Sequence, residues 1–420
     1  MSVRSCRIPI KAWYGDEEME LTFPSRWDVA ECRMAGHDAI PMTDEEISNA
    51  LKNPMGTQPL KELARGKKDV VILFDDLTRP APTWKILPIV LGELRSAGIG
   101  DDHIRFVAAY ANHAAMRLND FTKKLGRDIV KRFRIYNHNP YDHLVDLGKT
   151  TRGTPILINR EVMACDLKIG IGGLIPHRGA GFGGGAKLVL PGVAGISATD
   201  HNHRVLGGMA GEKSKQKNLR LGMGVTEVRE DMEEAARVVG LDLKIDLLVN
   251  NRREITGVYA GDFIEQHRAG VETARKMYAT PVEQDCDIVI ANAYPIENLA
   301  IKAIWPGHTS LKSGGTMVMV AQSVEGIAPH YLAGRFGTDF GGEMWAPATE
   351  PIVPHAGRIL LCSAYHSLVE TDFWGPPGTV IPCETWGEVM VHLLGDYPDS
   401  AKISVYPYAS IQMPAESSGS

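Results

Sequence analysis

The stretch HRGAGFGGGAKLVLPG, residues 177–192, holds the residue types best suited to chemistry in this chain. Glycine adopts positive φ and lets backbone amides approach an anion, which predicts a site for a phosphate-bearing ligand at Gly183, Gly184 and Gly185. Lys187 supplies an amine and His177 a base that titrates near neutral pH. The pattern is neither GxGxxG nor a P-loop, because leucine follows the lysine. A merely structural glycine turn is the alternative.

Three further histidines are candidates for catalysis or metal binding. His113 ends the run HIRFVAAYANH, and a histidine at a strand end is a reasonable general acid or base. A hydrogen-bonded structural histidine is the alternative. His201 and His203 lie two residues apart in SATDHNHRV, so on a helix their side chains diverge by about 200° and only one is expected to bind a metal. A solvated or capping pair is the alternative.

A polar cluster follows a predicted strand in DDLTRPAPT, residues 75–83. Open α/β sheets bind ligands at the carboxyl ends of their strands, where Arg79 could hold a carboxylate or phosphate with two hydrogen bonds and Asp76 could orient it. The alternative is a plain strand-to-helix turn, in which Asp76 or Thr78 caps the helix and Pro80 lies near its first turn.

These residues need a scaffold, and the chain alternates strand-like runs with helix-like ones. DVVILFDD (69–76) and HIRFVAAYANH (103–113) are predicted strands around a helix that stops near Gly98. CDIVIANAYP (286–295) and GGTMVMVAQS (314–323) repeat the pattern. The alternation predicts an α/β fold of two α/β domains, with mixed or parallel sheets flanked by helices and the active site in the cleft between them.

A polar stretch with helical charge spacing, residues 261–285, is expected to link the two α/β regions. We therefore predict an N-terminal domain over residues 1–275, which carries Lys187 and the histidines. A C-terminal domain over residues 276–420 is expected to close the substrate cleft.

Composition excludes several classes of protein. The 420 residues are 44% hydrophobic and 23% charged, which is typical of a globular chain long enough for two cores. The net charge of -6 comes from 51 acidic and 45 basic residues spread along the chain, so we expect a small-molecule partner and no nucleic acid. Six cysteines lack zinc or disulfide spacing, and no signal peptide or membrane span is evident. A cytoplasmic location is expected, and a homo-oligomer is common at this size.

Three motifs carry a resemblance to a known family: DDLTRP, PHRGAGFGGGAKLVLPGVAG with the histidine that follows it, and NAYPIENLAIKAIWP. They resemble the lactate racemase family, the nickel-pincer-nucleotide-dependent 2-hydroxyacid racemases and epimerases. The resemblance runs over most of the chain, and the glycine-lysine block is its most specific part. It implies a cytoplasmic isomerase that inverts the hydroxyl-bearing C2 of a 2-hydroxyacid. It also implies partner enzymes that synthesise the cofactor and insert nickel.

The resemblance assigns a cofactor and the residues that hold it. Lys187 matches the lysine that carries pyridinium-3-thioamide-5-thiocarboxylic acid mononucleotide, the nickel-pincer nucleotide, through a covalent thioamide. His203 matches the protein ligand of Ni(II) better than His201 does. Asp76 matches the family's acid after the first strand, with a cofactor-binding role shared by Gly183, Gly184 and Gly185.

The resemblance also assigns catalysis to His113 and His177 and substrate binding to Arg79. One histidine takes the hydroxyl proton while hydride moves from C2 to the cofactor, which leaves a planar 2-oxoacid. Return of hydride to the opposite face then inverts the centre. Two histidines suit two faces of the substrate.

Departures from the lactate enzymes bear on the substrate. Those enzymes have a basic residue after the first catalytic histidine, where this chain has Ala114. Lys302 and Trp305 stand where they have a glutamine and a lysine near the substrate. We expect Lys302 to replace the missing positive charge and Trp305 to reshape the pocket. A solvated lysine and a core tryptophan are the alternative.

The expected substrate is therefore a 2-hydroxyacid other than lactate, either larger, aromatic or carrying a second acidic group, and a sugar acid fits as well. Two other functions remain open. A noncatalytic homologue would store or deliver the cofactor and would not need His113 or His177. A phosphate- or nucleotide-binding transferase module would use the glycine loop without redox chemistry and would not need His203 either.

Overall fold

A computed structural model of the chain describes residues 3–207, 221–222, 226–328 and 350–415. Its strands, in chain order, are β1 (Val3–Ile10), β2 (Glu17–Pro24), β3 (Asp28–Glu31), β4 (Val70–Phe74), β5 (Ile104–Ala108), β6 (Arg134–Asn137), β7 (Leu144–Lys149), β8 (Pro155–Asn159), β9 (Leu167–Gly173), β10 (Pro176–His177), β11 (Gly181–Phe182), β12 (Leu243–Val249), β13 (Ile255–Gly261), β14 (Ala279–Thr280), β15 (Cys286–Asn292), β16 (Leu311–Val320), β17 (Arg358–Cys362), β18 (Val380–Cys383), β19 (Lys402–Tyr406) and β20 (Met413–Pro414).

The helices lie between these strands. The α-helices are α1 (Asp44–Lys52), α2 (Leu60–Leu63), α3 (Leu87–Ser96), α4 (Leu118–Leu125), α5 (Arg127–Arg132), α6 (Arg160–Met163), α7 (Ile196–Asp200), α8 (Glu227–Val239), α9 (Glu265–Tyr278), α10 (Trp305–Thr309), α11 (Leu368–Trp374) and α12 (Trp386–Asp396). Tighter 3-10 turns span Thr83–Lys85, Asp101–His103, Gly185–Leu188 and Glu297–Ile304, and a π-helix spans His201–Leu206. Within the described residues, no helix is long and apolar enough to cross a membrane.

Local sequence signals set several of these boundaries. Thr43 and Glu46 form a capping box at the start of α1, in which each side chain accepts from the other residue's backbone. Thr226 caps α8, and Gly240 ends it with a left-handed φ of 76°. The predicted helix after the first core strand is confirmed as α3, and Gly98 follows it with a φ of 90°.

The first sheet has the strand order β13-β12-β9-β4-β5-β6. All neighbours are parallel except β13, which pairs antiparallel with β12 at one edge. The central strand β4 is buried throughout: Val70, Ile72 and Phe74 join one core cluster, and Val71 and Leu73 join another. A strand that is covered on both faces usually has a continuous apolar sequence. The run VVILF has this pattern and therefore predicts a buried strand.

The second sheet has the order β18-β17-β16-β15-β19-β3 and is parallel throughout. Together the mixed and the parallel sheet confirm the predicted α/β class. β3 comes from the beginning of the chain yet pairs with β19. The domain division at residue 275 stays a prediction, and β3, which that division places in the first domain, is hydrogen-bonded into the second sheet.

One apolar cluster joins the two sheets. It combines Leu174 and Ile175, which follow β9, with Tyr294 and Ile296, which follow β15. Both pairs come directly after the carboxyl end of a parallel strand. The two sheets therefore face each other with the edges at which α/β proteins bind their ligands.

The turn between β1 and β2, residues 11–16, spans both halves of the molecule. The Glu297 carboxylate accepts hydrogen bonds from the backbone amides of Lys11, at 2.8 Å, and Ala12, at 2.6 Å. Burial raises the pKa of Glu297 to about 7, against the opposing effect of these amides.

The same turn also contacts residues that support the first sheet, through the aromatic ring of Trp13. The Trp13 ring centroid lies 4.3 Å from the Arg253 guanidinium and 5.3 Å from the Lys124 ammonium. Such cation–π contacts strengthen where water is excluded. The turn thus ties the second sheet to the helix that supports the candidate site described below.

Replacement of Glu297 tests this tie through pH. The folded protein retains a proton on Glu297 up to a pKa of about 7, against 4.5 for an ordinary glutamate. Because the unfolded chain releases that proton first, the free energy of unfolding falls as pH rises between about 5 and 7, by up to about 3 kcal/mol. We expect Glu297→Gln to flatten this slope in denaturant titrations. The exposed Glu17 of the same hairpin is the control, and an unchanged slope in Glu297→Gln would contradict the assignment.

Candidate active site

Three neighbouring parallel strands bring the predicted catalytic residues together. His177 follows β9, Asp76 and Arg79 follow β4, and His113 follows β5. Since β9, β4 and β5 are adjacent and parallel, their carboxyl ends share one edge of the first sheet. The topology thus assembles side chains that are far apart in sequence.

Asp76 and His113 form a buried pair. The His113 Nδ1 atom lies 2.8 Å from Asp76 Oδ2, and the Thr78 amide and hydroxyl both donate to Asp76 Oδ1. Burial alone would raise the pKa of Asp76, but the His113 ring and Arg79 hold it below its usual range. Asp76, predicted as a cofactor contact, therefore lies where it orients His113.

The alternative in which Asp76 or Thr78 caps a helix is wrong. The next helix, α3, begins only at Leu87, after an irregular stretch and a short 3-10 turn. The Asp76 carboxylate bonds the Thr78 amide and His113 instead.

Arg79 is anchored by its own loop. Its Nη1 atom donates to the Thr78 carbonyl and hydroxyl oxygens, each at 2.8 Å. Behind it, the ammonium of Lys124 pairs with Asp75 at 2.5 Å and donates to the Arg79 carbonyl at 3.1 Å. The Lys124 side chain has no exposed surface, so this pair is wholly desolvated. It fixes the loop that presents Arg79.

His177 is held through one ring nitrogen. Its Nδ1 accepts from the backbone amides of Gly179, at 3.2 Å, and Ala180, at 3.1 Å. With Nδ1 as an acceptor, the proton of the neutral ring lies on Nε2. Burial lowers the pKa of His177 well below its usual value, and the charges of Lys187 and Lys302 lower it further.

Lys187 and His203 meet in the interior. The Lys187 Nζ atom lies 3.4 Å from His203 Nε2, and both residues are buried. The His203 ring stands nearly perpendicular to that of His177, with centroids 6.0 Å apart. Burial lowers the pKa of Lys187 well below its ordinary value, and the guanidinium groups of Arg229 and Arg79 lower it further. The amine is therefore favoured in its neutral, nucleophilic form.

The π-helix separates the two neighbouring histidines as the spacing predicts. His203 lies beside Lys187, whereas the Nδ1 of His201 lies 2.8 Å from the Thr154 hydroxyl. Only His203 is therefore placed beside the amine.

The glycine turn is packed against protein side chains. Gly183 donates its amide to the Ile175 carbonyl at 2.7 Å, and Gly185 donates to Asp246 Oδ2 at 2.8 Å. Gly184 and Gly185 have φ of 69° and 54°, and a Cβ on Gly184 would lie 2.5 Å from Asp246 Oδ1. Two of the three amides predicted to cradle a cofactor phosphate thus bind acceptors within the protein. The glycines are required because the backbone approaches buried side chains so closely.

Lys302 and Trp305 have different surroundings. The Lys302 Nζ atom is buried and has no hydrogen-bond partner among the described residues, and burial, Arg79 and Lys187 lower its pKa well below the usual value. Lys302 therefore lies by the candidate site and is not a solvated helix residue. Trp305 packs on Tyr406 and donates its indole N–H to the Ala409 carbonyl at 2.9 Å. This position matches the core alternative for Trp305.

Comparison with known proteins decides the family. The family model for the lactate racemase N-terminal domain matches residues 14–215. A lactate racemase from Lactiplantibacillus plantarum is 34% identical over 67% of this chain, and one from Thermoanaerobacterium thermosaccharolyticum is 29% identical over 70%. The chain belongs to the lactate racemase family. The predicted resemblance is thereby confirmed.

The lactate racemase matches cover part of each relative. They span 66% of the length of the L. plantarum protein and 69% of that of the T. thermosaccharolyticum protein. The solved structure of a lactate racemase apoprotein from T. thermosaccharolyticum aligns with 98% of this chain and 100% of its own, with a TM-score of 0.73 and 23% identity. That likeness confirms the fold.

The matched family region contains most of the candidate site. Residues 14–215 include His113, His177, Lys187 and His203, whereas Lys302 lies outside them. The first four residues thus lie in the part of the chain that the lactate racemase model describes.

Several buried charges in this lactate racemase fold escaped the sequence reading. Asp75 with Lys124 supports the Arg79 loop, and Asp246 with Arg229 holds the glycine turn. Asp75 lies inside the motif DDLTRP, which could have identified it as a residue near the site. Lys124 and Arg229 occur in charged helical sequence and Asp246 in the strand LKIDLLV, and the structure shows that all three are buried.

Substitution of two buried lysines separates a functional amine from a structural one. Lys302 has no described partner to lose, so Lys302→Met removes only a desolvated amine and we expect the free energy of unfolding to stay level or rise. Lys124→Met is the matched control, because it strands Asp75 and should cost about 3–5 kcal/mol. Denaturant titrations of the apoprotein measure both. An equal loss in the two variants would assign Lys302 a structural role.

Proposed function

We propose that this protein is an isomerase, a racemase or epimerase that inverts the hydroxyl-bearing C2 of a 2-hydroxyacid other than lactate. The nickel-pincer nucleotide tethered to Lys187 would supply, when bound, the acceptor and donor of the C2 hydride. The observation that carries the proposal is the buried approach of Lys187 Nζ to His203 Nε2, at 3.4 Å, beside the ring of His177. Membership in the lactate racemase family supports the same conclusion.

The residues present fit such a cofactor. Thioamide formation needs a neutral amine, which is the form that burial favours at Lys187. A group attached there would be held next to the His203 imidazole, a suitable donor for Ni(II) in a site completed by soft sulfur ligands. His203 is thus the metal ligand in this proposal, and Lys187 is the tether.

Proton transfer to and from the substrate hydroxyl falls to the two other histidines. The carboxylate of Asp76 fixes Nδ1 of His113 as its proton donor, which leaves basicity at Nε2. His177 has the opposite arrangement, because its Nδ1 accepts two backbone amides and its neutral ring donates from Nε2. His113 is therefore set to accept the hydroxyl proton at Nε2 and to return it once protonated, and neutral His177 assists by donating a hydrogen bond from Nε2 to the substrate oxygen.

Arg79 and Lys302 bind the anionic end of the substrate in this proposal. The Lys302 Nζ is buried without a described partner, and an incoming carboxylate would favour its protonated form and pair with it. Ala114 leaves space where the lactate enzymes have a basic side chain. A second basic side chain, which follows a strand of the opposite sheet, and a smaller residue beside His113 favour a substrate larger than lactate.

The remaining expectations complete the proposal. Cofactor-synthesis and nickel-insertion enzymes are the partner proteins, because a host without them would yield the apoprotein. The cytoplasmic location and a homo-oligomeric state stay predictions.

The mass of the peptide that contains Lys187 tests the proposal first. The protein is produced with a functioning cofactor-synthesis pathway, and nickel is quantified on the same sample. We expect a lysine adduct of the pincer-nucleotide mass with near-stoichiometric nickel, followed by inversion of a 2-hydroxyacid in a chiral screen. Lys187→Ala is the control. An unmodified lysine without nickel, while a lactate racemase loaded in parallel carries both, would favour the phosphate-binding alternative.

Replacement of His177 by alanine separates catalysis from cofactor storage. In His177→Ala we expect nickel and the lysine adduct to be retained and turnover to fall by about 100-fold or more. Asp76→Asn should lower turnover as well, because it removes the charge that orients His113. Chiral chromatography of the product measures turnover. A wild-type protein that carries nickel and the lysine adduct but shows no turnover would instead support the cofactor-storing homologue, and full activity in His177→Ala would contradict a catalytic role for His177.

A further inference from the structure

Helix α8 is charged in sequence but buried in the structure. Its sequence EVREDMEEAARVV reads as a solvated helix, yet Arg229, Asp231 and Glu233 are 1%, 0% and 7% exposed. Desolvation of such charges costs several kcal/mol per ion unless each finds good partners. Arg229 has its partners in the turn before Lys187, and Asp231 has one of its partners next to His203.

Arg229 hydrogen-bonds to the glycine turn before Lys187. Its Nη1 donates to the Gly184 carbonyl at 3.0 Å, and its Nη2 donates to the Phe182 carbonyl. The Gly184 carbonyl in turn accepts from the Lys187 amide at 3.2 Å. The guanidinium thus fixes the strand of backbone from which the lysine side chain departs.

The other side of that turn is held as firmly. Asp246 accepts from the Gly185 amide at 2.8 Å and from Gln266 Nε2 at 2.9 Å. His267 Nε2 lies 2.9 Å from the Gly183 carbonyl. A Cβ on Gly185 would lie 2.9 Å from the His267 ring and 3.1 Å from Arg229, so the turn has no room to shift.

Asp231 hydrogen-bonds to the π-helix that contains His203. Its Oδ2 accepts from Asn202 Nδ2 at 2.7 Å and from the Thr154 hydroxyl at 2.7 Å, and its Oδ1 accepts from the Thr150 hydroxyl at 2.5 Å. Asn202 immediately precedes His203 and also donates to the Val228 carbonyl of α8. The carboxylate therefore sets the position of the π-helix relative to α8.

We propose that α8 is the positioning element that fixes Lys187 opposite His203, with Arg229 and Asp231 as its positioning residues. Two helical residues apart, their side chains leave the helix about 200° from each other, so one helix holds both parts of the site at once. The proposal rests on the proposed function, in which Lys187 bears the cofactor and His203 binds nickel. Partners of this kind commonly change metal affinity about 10- to 100-fold.

Hydrogen–deuterium exchange of the apoprotein tests the positioning directly. In Arg229→Met we expect faster exchange of the amides in residues 181–188 and unchanged exchange in residues 200–206. In Asp231→Leu we expect the reverse. A merely structural role would raise exchange in both segments together, and that result would overturn the proposal, as would unchanged exchange in both.

Loaded protein supplies the second readout. Arg229→Met should lower the fraction of Lys187 that carries the adduct by about 10-fold, and Asp231→Leu should keep the adduct but release nickel to a chelator about 10-fold faster. Equal losses of adduct and nickel in both variants would contradict separate roles. If the wild-type protein bears neither, the proposed function fails, and the exchange experiment still decides whether α8 positions the two residues.

Glu230→Gln is the matched control. Glu230 lies between the two positioning residues on α8, but its carboxylate is half exposed and pairs with Arg152 at the surface. Exchange, adduct and nickel should all match the wild type. Should either apolar variant fail to fold, Arg229→Lys and Asp231→Asn keep most of the side-chain volume and should show the same division between segments in smaller size.

Discussion

The buried meeting of the Lys187 amine and the His203 imidazole is the constraint on which the rest of the first domain depends. Water is excluded there, and the guanidinium groups of Arg229 and Arg79 stand near enough to disfavour an ammonium. A buried amine in this setting is neutral and nucleophilic, but its burial is unfavourable. The surrounding structure must therefore hold it by its backbone, and the glycine turn, the π-helix and α8 do so through satisfied hydrogen bonds.

The second constraint is the parallel sheet itself. Adjacent parallel strands deliver His177, Asp76 and His113 to one edge without any of these residues being close in sequence. The second sheet then presents Lys302 from its own carboxyl edge, across the apolar cluster that joins the halves. Each domain thus contributes charge to a shared space, and the contacts that keep water out are apolar.

Sequence patterns predicted the buried strands well, because VVILF and CDIVIAN have a composition that only a sheet covered on both faces accommodates. Spacing predicted that His201 and His203 point apart, and the family resemblance indicated His203, which is the one that lies by Lys187. Neither could predict the partners of the glycine turn, because Asp246 and Arg229 reach that turn through the fold and carry no local signal. The role expected of Trp305 differed from its core position for the same reason: periodicity places a side chain on a helix, but only packing decides what covers it.

The pairing of β3 with β19 bears on how the protein is made. Residues 28–31 are synthesised well before residues 402–406, the strand with which they pair. The first sheet can close while translation continues, since its strands lie between residues 70 and 261. The second sheet cannot close until β19 has been synthesised, because β19 lies between β15 and β3. Until then one edge of β15 is uncovered. The nascent chain therefore carries β3 without its partner strand until residues 402–406 have been made, and this long-range closure is the step most exposed to misassembly.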